Sequence, residues 1–155
     1  MCQPKSVRIV VCDEDPREAI FFQVAVTNIG VNCDITFLRS GLELLRFLSR
    51  AKTIPDLVFL DINFNGVSGL EILAIIRKYE QWRRLPVIIH CTSNSVASID
   101  TAYLLGASRY WVKTWSVPNF ERTLKALMVP ESAGAVSNLT TGFRLEEMAD
   151  EAGVS

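Results

Sequence analysis

Five short apolar runs, each followed by a stretch of helical periodicity, leave this chain few ways to fold. The runs are Val7–Cys12, Cys33–Leu38, Leu57–Leu60, Val87–Cys91 and Arg109–Val112. The first is β-branched along most of its length, the pattern of a strand covered on both faces. Pro16–Ile29, Gly41–Arg50, Gly69–Tyr79, Val96–Leu105 and Pro118–Met128 read as helices. Leu42, Leu45 and Leu48 share one face of the second helix, Leu70, Leu73 and Ile76 one face of the third, and Phe120, Leu124 and Met128 one stripe of the last. The punctuation agrees. Asp15 stands at an N-cap, Pro16 at the first helical position and Gly30 past the end, Pro86 opens the fourth strand, and Gly106 stops the fourth helix. Repeated β-α units predict an α/β, doubly wound (βα)5 sandwich around a parallel five-stranded sheet. Right-handed crossovers then cover both faces with helices.

In such a sheet, ligands bind outside the carboxyl ends of the strands. Four of the runs end there on residues suited to a phosphoryl group: Asp13-Glu14-Asp15, Asp61, Thr92 and Lys113. Crowded carboxylates repel one another, and a hard divalent cation relieves that repulsion. Mg2+ suits the set, because it accepts one or two carboxylates, waters and a phosphoryl oxygen. A solvated acidic helix N-terminus explains the Asp13–Asp15 run alone, but not Asp61 on a neighbouring strand. A carboxylate such as Asp61 can attack phosphorus and form an acyl phosphate. That chemistry asks for positioning and charge neutralisation more than for acid–base work. Lys113 can pair with one phosphoryl oxygen, and the Thr92 hydroxyl can donate to another. Taken singly, Thr92 is a turn residue beside Ser93, Asn94 and Ser95, and Lys113 an exposed lysine. Those readings leave the shared edge unexplained.

Other classes of function find little support. The formal net charge of −1 offers no bulk attraction to nucleic acid. No apolar stretch reaches membrane-spanning length, and the start of the chain has no signal-peptide pattern. The four cysteines lack metal-ligand spacing, which fits a reducing, cytoplasmic setting. His90, the one histidine, lies inside the fourth run and reads as structural. Asp-Glu-Asp-Pro follows the first strand where a nucleotide-binding chain would carry a glycine-rich loop.

These motifs resemble the response-regulator receiver domain of two-component systems. The matching pieces are Val10–Pro16, Phe59–Asn63 running on through Gly69–Leu73, Val87–Ser93, and Ala102–Ala107 running on through Tyr110–Lys113. The resemblance spans residues 5–129 and implies a flavodoxin-like, CheY-like sheet in the order 2-1-3-4-5. It implies Asp61 as phosphoacceptor, charged by a histidine kinase or phosphotransfer protein. It implies Asp13 and Glu14 as holders of Mg2+ together with Asp61 and the backbone carbonyl of Asn63. Thr92 and Tyr110 match the switch pair and Lys113 the active-site lysine, while Asn63 and Asn94 fall where phosphoryl lifetime is tuned. The face made by the fourth helix, fifth strand and fifth helix serves dimerisation in this family, and Tyr103, Trp111 and Trp115 gather around it as candidate interface anchors.

Three positions depart from the family pattern: Glu14 where aspartate is usual, Asn65 in place of a proline, and Thr114 in place of the proline that follows the lysine. Non-proline residues also occur at the last position in small stand-alone regulators paired with phytochrome-type kinases, which the Tyr103–Trp115 segment resembles.

Residues 130–155 are too few for a DNA-binding or enzymatic output domain, so output is expected through protein contacts. Pro130–Ser137 reads as a linker, and Phe143–Ala152 as a short acidic helix. This tail holds five acids and one arginine, which leaves 15 basic against 12 acidic residues, a net +3, on the rest. The expected protein is a phosphorylatable, homodimeric response regulator. A pseudo-receiver that binds partners without phosphorylation is the main alternative, supported by Glu14 and Thr114. An aspartyl phosphatase built on the Asp13-Glu14-Asp15 motif would lack a cap insertion and leave Asp61 idle.

Overall fold

The computed structural model describes residues 5–128 and 142–145. The elements run β1 (Val7–Cys12), α1 (Pro16–Ile29), β2 (Cys33–Leu38), α2 (Gly41–Arg50), β3 (Leu57–Leu60), α3 (Gly69–Lys78), a 3-10 turn (Glu80–Trp82), β4 (Val87–Cys91), α4 (Val96–Leu104), β5 (Arg109–Val112), α5 (Val117–Met128) and β6 (Arg144–Leu145). The caps act as the sequence suggests. The Asp15 carboxylate accepts the Arg17 N–H, and Gly30 leaves α1 in the left-handed conformation at φ 71°. Ser68 and Glu71 form a reciprocal capping box on α3.

All strand pairs are parallel, in the order β2-β1-β3-β4-β5-β6. The sixth strand corrects the expectation of five. Arg144 and Leu145 pair with Tyr110 and Trp111, and the Tyr110 N–H donates to the Phe143 carbonyl at 2.8 Å. Without them β5 would present an open edge among the described residues, with donors and acceptors left to solvent. Residues 143–145 are therefore not the start of a helix. The rest of that expected helix, and the expected linker, lie outside the described residues.

Side chains alternate across the sheet. Val10, Cys12, Val58, Leu60, Ile89 and Tyr110 face α2, α3 and α4, where they meet Leu44, Leu73, Ile76 and Ala102. Ile9, Val11, Phe59, Ile88 and Trp111 face α1 and α5, where they meet Phe22, Phe120 and Leu124. Trp111 is fully buried. It stacks on His90 at 4.5 Å between ring centroids and on Phe120 at 4.9 Å, and Leu145 joins the same cluster. Trp111 therefore does not serve as an interface anchor. Both faces of β5 are covered, so neither direction of alternation leads to solvent.

One glycine places the site. A Cβ on Gly69 would run into the Asp61 carbonyl oxygen. Only glycine lets the first turn of α3 lie against the end of β3.

Candidate phosphoacceptor site

The order of strands reverses between β1 and β3, and the site opens at that switch point. Cys12 and Leu60 stand in register, and the Asp61 N–H donates to the Cys12 carbonyl at 3.0 Å. Asp13 and Asp61 thus leave the sheet side by side. On the far side the Lys113 N–H donates to the Cys91 carbonyl at 2.7 Å, one step beyond β5. The lysine side chain crosses the strand ends and donates to Asp13 Oδ2 at 2.5 Å and to Asp61 Oδ2 at 3.2 Å. All three side chains are less than a tenth exposed.

A third carboxylate completes the set. Glu18 Oε1 lies 3.4 Å from the same ammonium, and its side chain is 6% exposed. An ammonium has three N–H donors, and here three carboxylates surround it. The remaining oxygens of the two aspartates are held by backbone. Asp61 Oδ1 accepts the N–H groups of Ile62 and Asn63 at 2.7 and 3.2 Å. Asp13 Oδ1 accepts the Asp15 N–H at 2.9 Å.

Burial alone would lower the Lys113 pKa. The Asp13 hydrogen bond, with the charges of Asp61 and Glu18, reverses this and holds the ammonium above its usual value. Burial raises Asp13 and Glu18, and Lys113 pulls part of that rise back. The lysine is charged throughout the physiological range.

Glu14 does not join this cluster. It is exposed, and its Oε1 accepts the Asn65 amide at 3.0 Å. Two departures from the family pattern thus touch each other. Among the described residues, no three His, Cys, Asp or Glu side chains converge as a ready-made metal site. The donor chemistry still fits a divalent cation. Asp13 and Asp61 are hard oxygen donors that already aim at one positive centre, the ammonium, and Glu14 and Asn63 stand in the adjoining loops.

The other expected residues divide into two groups. Thr92 and Asn94 are exposed at the start of the β4–α4 loop. Ser93, Ser95 and Ser98 bond to one another beside them. Tyr110 is already inward and fully buried. Its hydroxyl donates to the Ser93 carbonyl at 2.8 Å and lies 2.9 Å from Cys91 Sγ. Tyr103 and Trp115 are exposed by 64% and 66%. The Tyr103 ring meets Phe143 at 5.2 Å, and the Arg17 guanidinium lies 5.9 Å from the Trp115 ring. His90 is boxed by Phe22, Phe59, Trp111 and Phe120, and burial drives its pKa down to about 3.

Glu18 was missing from the sequence expectations. Its signal was an acid on the buried stripe of α1, one turn before Phe22 and two before Ala25.

A family model of the response regulator receiver domain matches residues 9–125. The chain belongs to that family. Receivers are signalling phosphoacceptor domains rather than classical enzymes, and they bind a divalent metal at the phosphorylation site. Among its relatives, the polar-differentiation response regulator DivK of Brucella anthropi is 30% identical over 81% of this chain and 97% of that protein. Response regulator Rcp1 of Synechocystis is 24% identical over 80% of this chain and 87% of that protein. Among solved structures, the phosphorylated cyanobacterial phytochrome response regulator RcpA has a TM-score of 0.73 at 23% identity, covering 86% of this chain and 96% of that one. A crystal structure of Rcp1 in an Mn2+-bound form has a TM-score of 0.70 at 20% identity, over 86% of this chain and 97% of that one. Among the described residues of this receiver, no helix is long and apolar enough to cross a membrane.

Proposed function

We propose that this receiver is a response regulator that accepts a phosphoryl group on Asp61 from a histidine kinase or phosphotransfer protein. The observation that carries this is the buried Lys113 ammonium joining Asp13 and Asp61 across three strand ends. An Asp61 oxygen attacks phosphorus, the O–P bond forms, and the bond from phosphorus to the donor nitrogen breaks with its electron pair returning to that nitrogen. Lys113 keeps its proton and pairs with a phosphoryl oxygen. Thr92 donates its hydroxyl to another. A divalent cation, Mg2+ in this reading, would be held by Asp13, Asp61, Glu14 and the Asn63 carbonyl, and supplies neutralisation of phosphoryl charge.

The response then passes along the chain. Thr92 is covalently next to Ser93, whose carbonyl holds the Tyr110 hydroxyl. Tyr110 in turn holds Phe143 through its backbone N–H. A shift of Thr92 toward a phosphoryl oxygen loads that chain and alters the face formed by α4, β5 and α5. Val96, Tyr103 and Leu104 are exposed there by 73%, 64% and 82%. A cytoplasmic, phosphorylation-dependent homodimer through this face completes the proposal.

Intact-mass spectrometry after treatment with acetyl phosphate and Mg2+ tests it. A single phosphoryl adduct is expected on the wild type, with none on Asp61→Asn and none in EDTA. No adduct from acetyl phosphate or from a panel of histidine kinases would replace this proposal with a pseudo-receiver.

A further inference from the structure

Glu18 occupies a costly place. It is an acid 95% buried by the 5% exposure of its residue, on the helix stripe that otherwise packs Phe22, Ala25 and Val26 against the sheet. A carboxylate stands in such a place only with a partner. Its partner, Lys113, is shared and lies closer to Asp13, at 2.5 Å, than to Glu18, at 3.4 Å. Among the described residues, Glu18 Oε2 has no hydrogen-bond partner. The residue therefore holds spare acceptor capacity on a carboxylate whose other oxygen already faces the Lys113 ammonium.

That capacity matters because the other partners of Lys113 have a second use. Asp13 Oδ2 and Asp61 Oδ2 both accept from the ammonium, and both belong to the carboxylates that would hold a divalent cation or carry the phosphoryl group. Were they to hold that cation, the ammonium would lose its two shortest contacts while still buried. With no other anion nearby, it would resist the exchange and compete with the metal. Charge points the same way. Asp13, Asp61, Glu18 and Lys113 together carry a net −2, from three carboxylates and one ammonium, and a divalent cation cancels that charge.

We infer that Glu18 is a positioning residue for Lys113, receiving the ammonium as Asp13 and Asp61 engage a cation and holding it beside Asp61. The inference rests on the phosphoacceptor reading for its purpose, but its test requires no phosphorylation. Glu18 touches neither the metal nor the phosphoryl group. It acts through the lysine, as an outer-shell partner acts on a metal ligand.

Mn2+ and Mg2+ binding to the full chain would be measured by calorimetry for wild type, Glu18→Gln and Glu18→Asp. Loss of this outer partner is expected to weaken binding roughly tenfold in Glu18→Gln, with partial rescue in Glu18→Asp. NMR of the wild type gives a second readout. The Glu18 side-chain carboxylate carbon and the Lys113 ammonium nitrogen should both shift on saturation with Mg2+, and the lysine shift should be altered in Glu18→Gln. Unchanged affinity in Glu18→Gln, or a Glu18 carbon that does not move on Mg2+ saturation of the wild type, would overturn the inference. The wild-type NMR decides alone if Glu18→Gln fails to fold. Normal Mg2+ binding and Glu18 response without any adduct from acetyl phosphate would instead count against the phosphoacceptor reading and leave Glu18 in its role.

Discussion

Two halves of one sheet edge are built on different principles. Over β1, β3 and β5, the side chains of Asp13, Glu18, Asp61 and Lys113 are all less than a tenth exposed and tied by ion pairs. Over β4 and the start of α4, Thr92, Asn94 and Ser95 are exposed, and the serine hydroxyls bond mainly to one another. The charged half is already desolvated, so under the proposed phosphoryl transfer its groups would have little left to reorganise. The hydroxyl half is wet, and rotating a threonine there costs little. In the proposed function, chemistry belongs to the buried half and response to the exposed one. The boundary runs through β4, between buried His90 and exposed Thr92.

That contrast is open to attack from both sides. The largest effect belongs to Lys113→Ala, which strands three buried carboxylates without their cation. A loss of about 3–5 kcal/mol is expected in urea unfolding at neutral pH, the range for breaking a buried pair. A loss below about 1 kcal/mol would mean that the charged half is as wet as the other. His90→Phe probes the boundary. The folded-state pKa of His90 is about 3, below the ordinary 6.5, so the unfolded chain takes up the proton first. Its contribution to stability is full above pH 6.5 and falls as pH drops from 6.5 toward 3. Each pH unit in that window removes on the order of 1.4 kcal/mol from wild type relative to His90→Phe. Unfolding curves for both proteins at pH 7 and pH 5 measure this. Parallel losses would show that water reaches the His90 box. The smallest structural effect belongs to Thr92→Ala, expected within about 0.5 kcal/mol of wild type as an exposed substitution. Its functional mark is an adduct on Asp61 that no longer alters the Tyr103 and Tyr110 resonances by NMR. A stability loss in Thr92→Ala that exceeds that of Lys113→Ala would invert the comparison.

The same contrast governed what could be read in advance. Strand ends are set by period and punctuation, so Asp13, Asp61, Thr92 and Lys113 could be placed on one edge before any coordinates. Side-chain direction in a loop has no period, and so the turn of Glu14 toward Asn65 was not legible. Glu18 was readable in principle, as an acid on an apolar stripe, yet its meaning depends on a lysine 95 residues away across the sheet. Trp111 misled because tryptophan is a favoured interface anchor, whereas a doubly wound sheet covers both faces of its strands. The Arg144–Leu145 strand lies in an acid-rich segment whose local pattern favours a helix. Its pairing comes from the open edge of β5, which is a property of the fold and not of the segment.

Under the proposed function, the buried charged half directs phosphorylation to Asp61 and nowhere else. Borohydride reduction of the acetyl phosphate-treated protein, followed by peptide sequencing, reads that position directly, because an acyl phosphate on aspartate is reduced to homoserine. Homoserine at position 61 alone is the predicted result. Homoserine at position 13, or none in a protein shown to bind Mg2+, would contradict it.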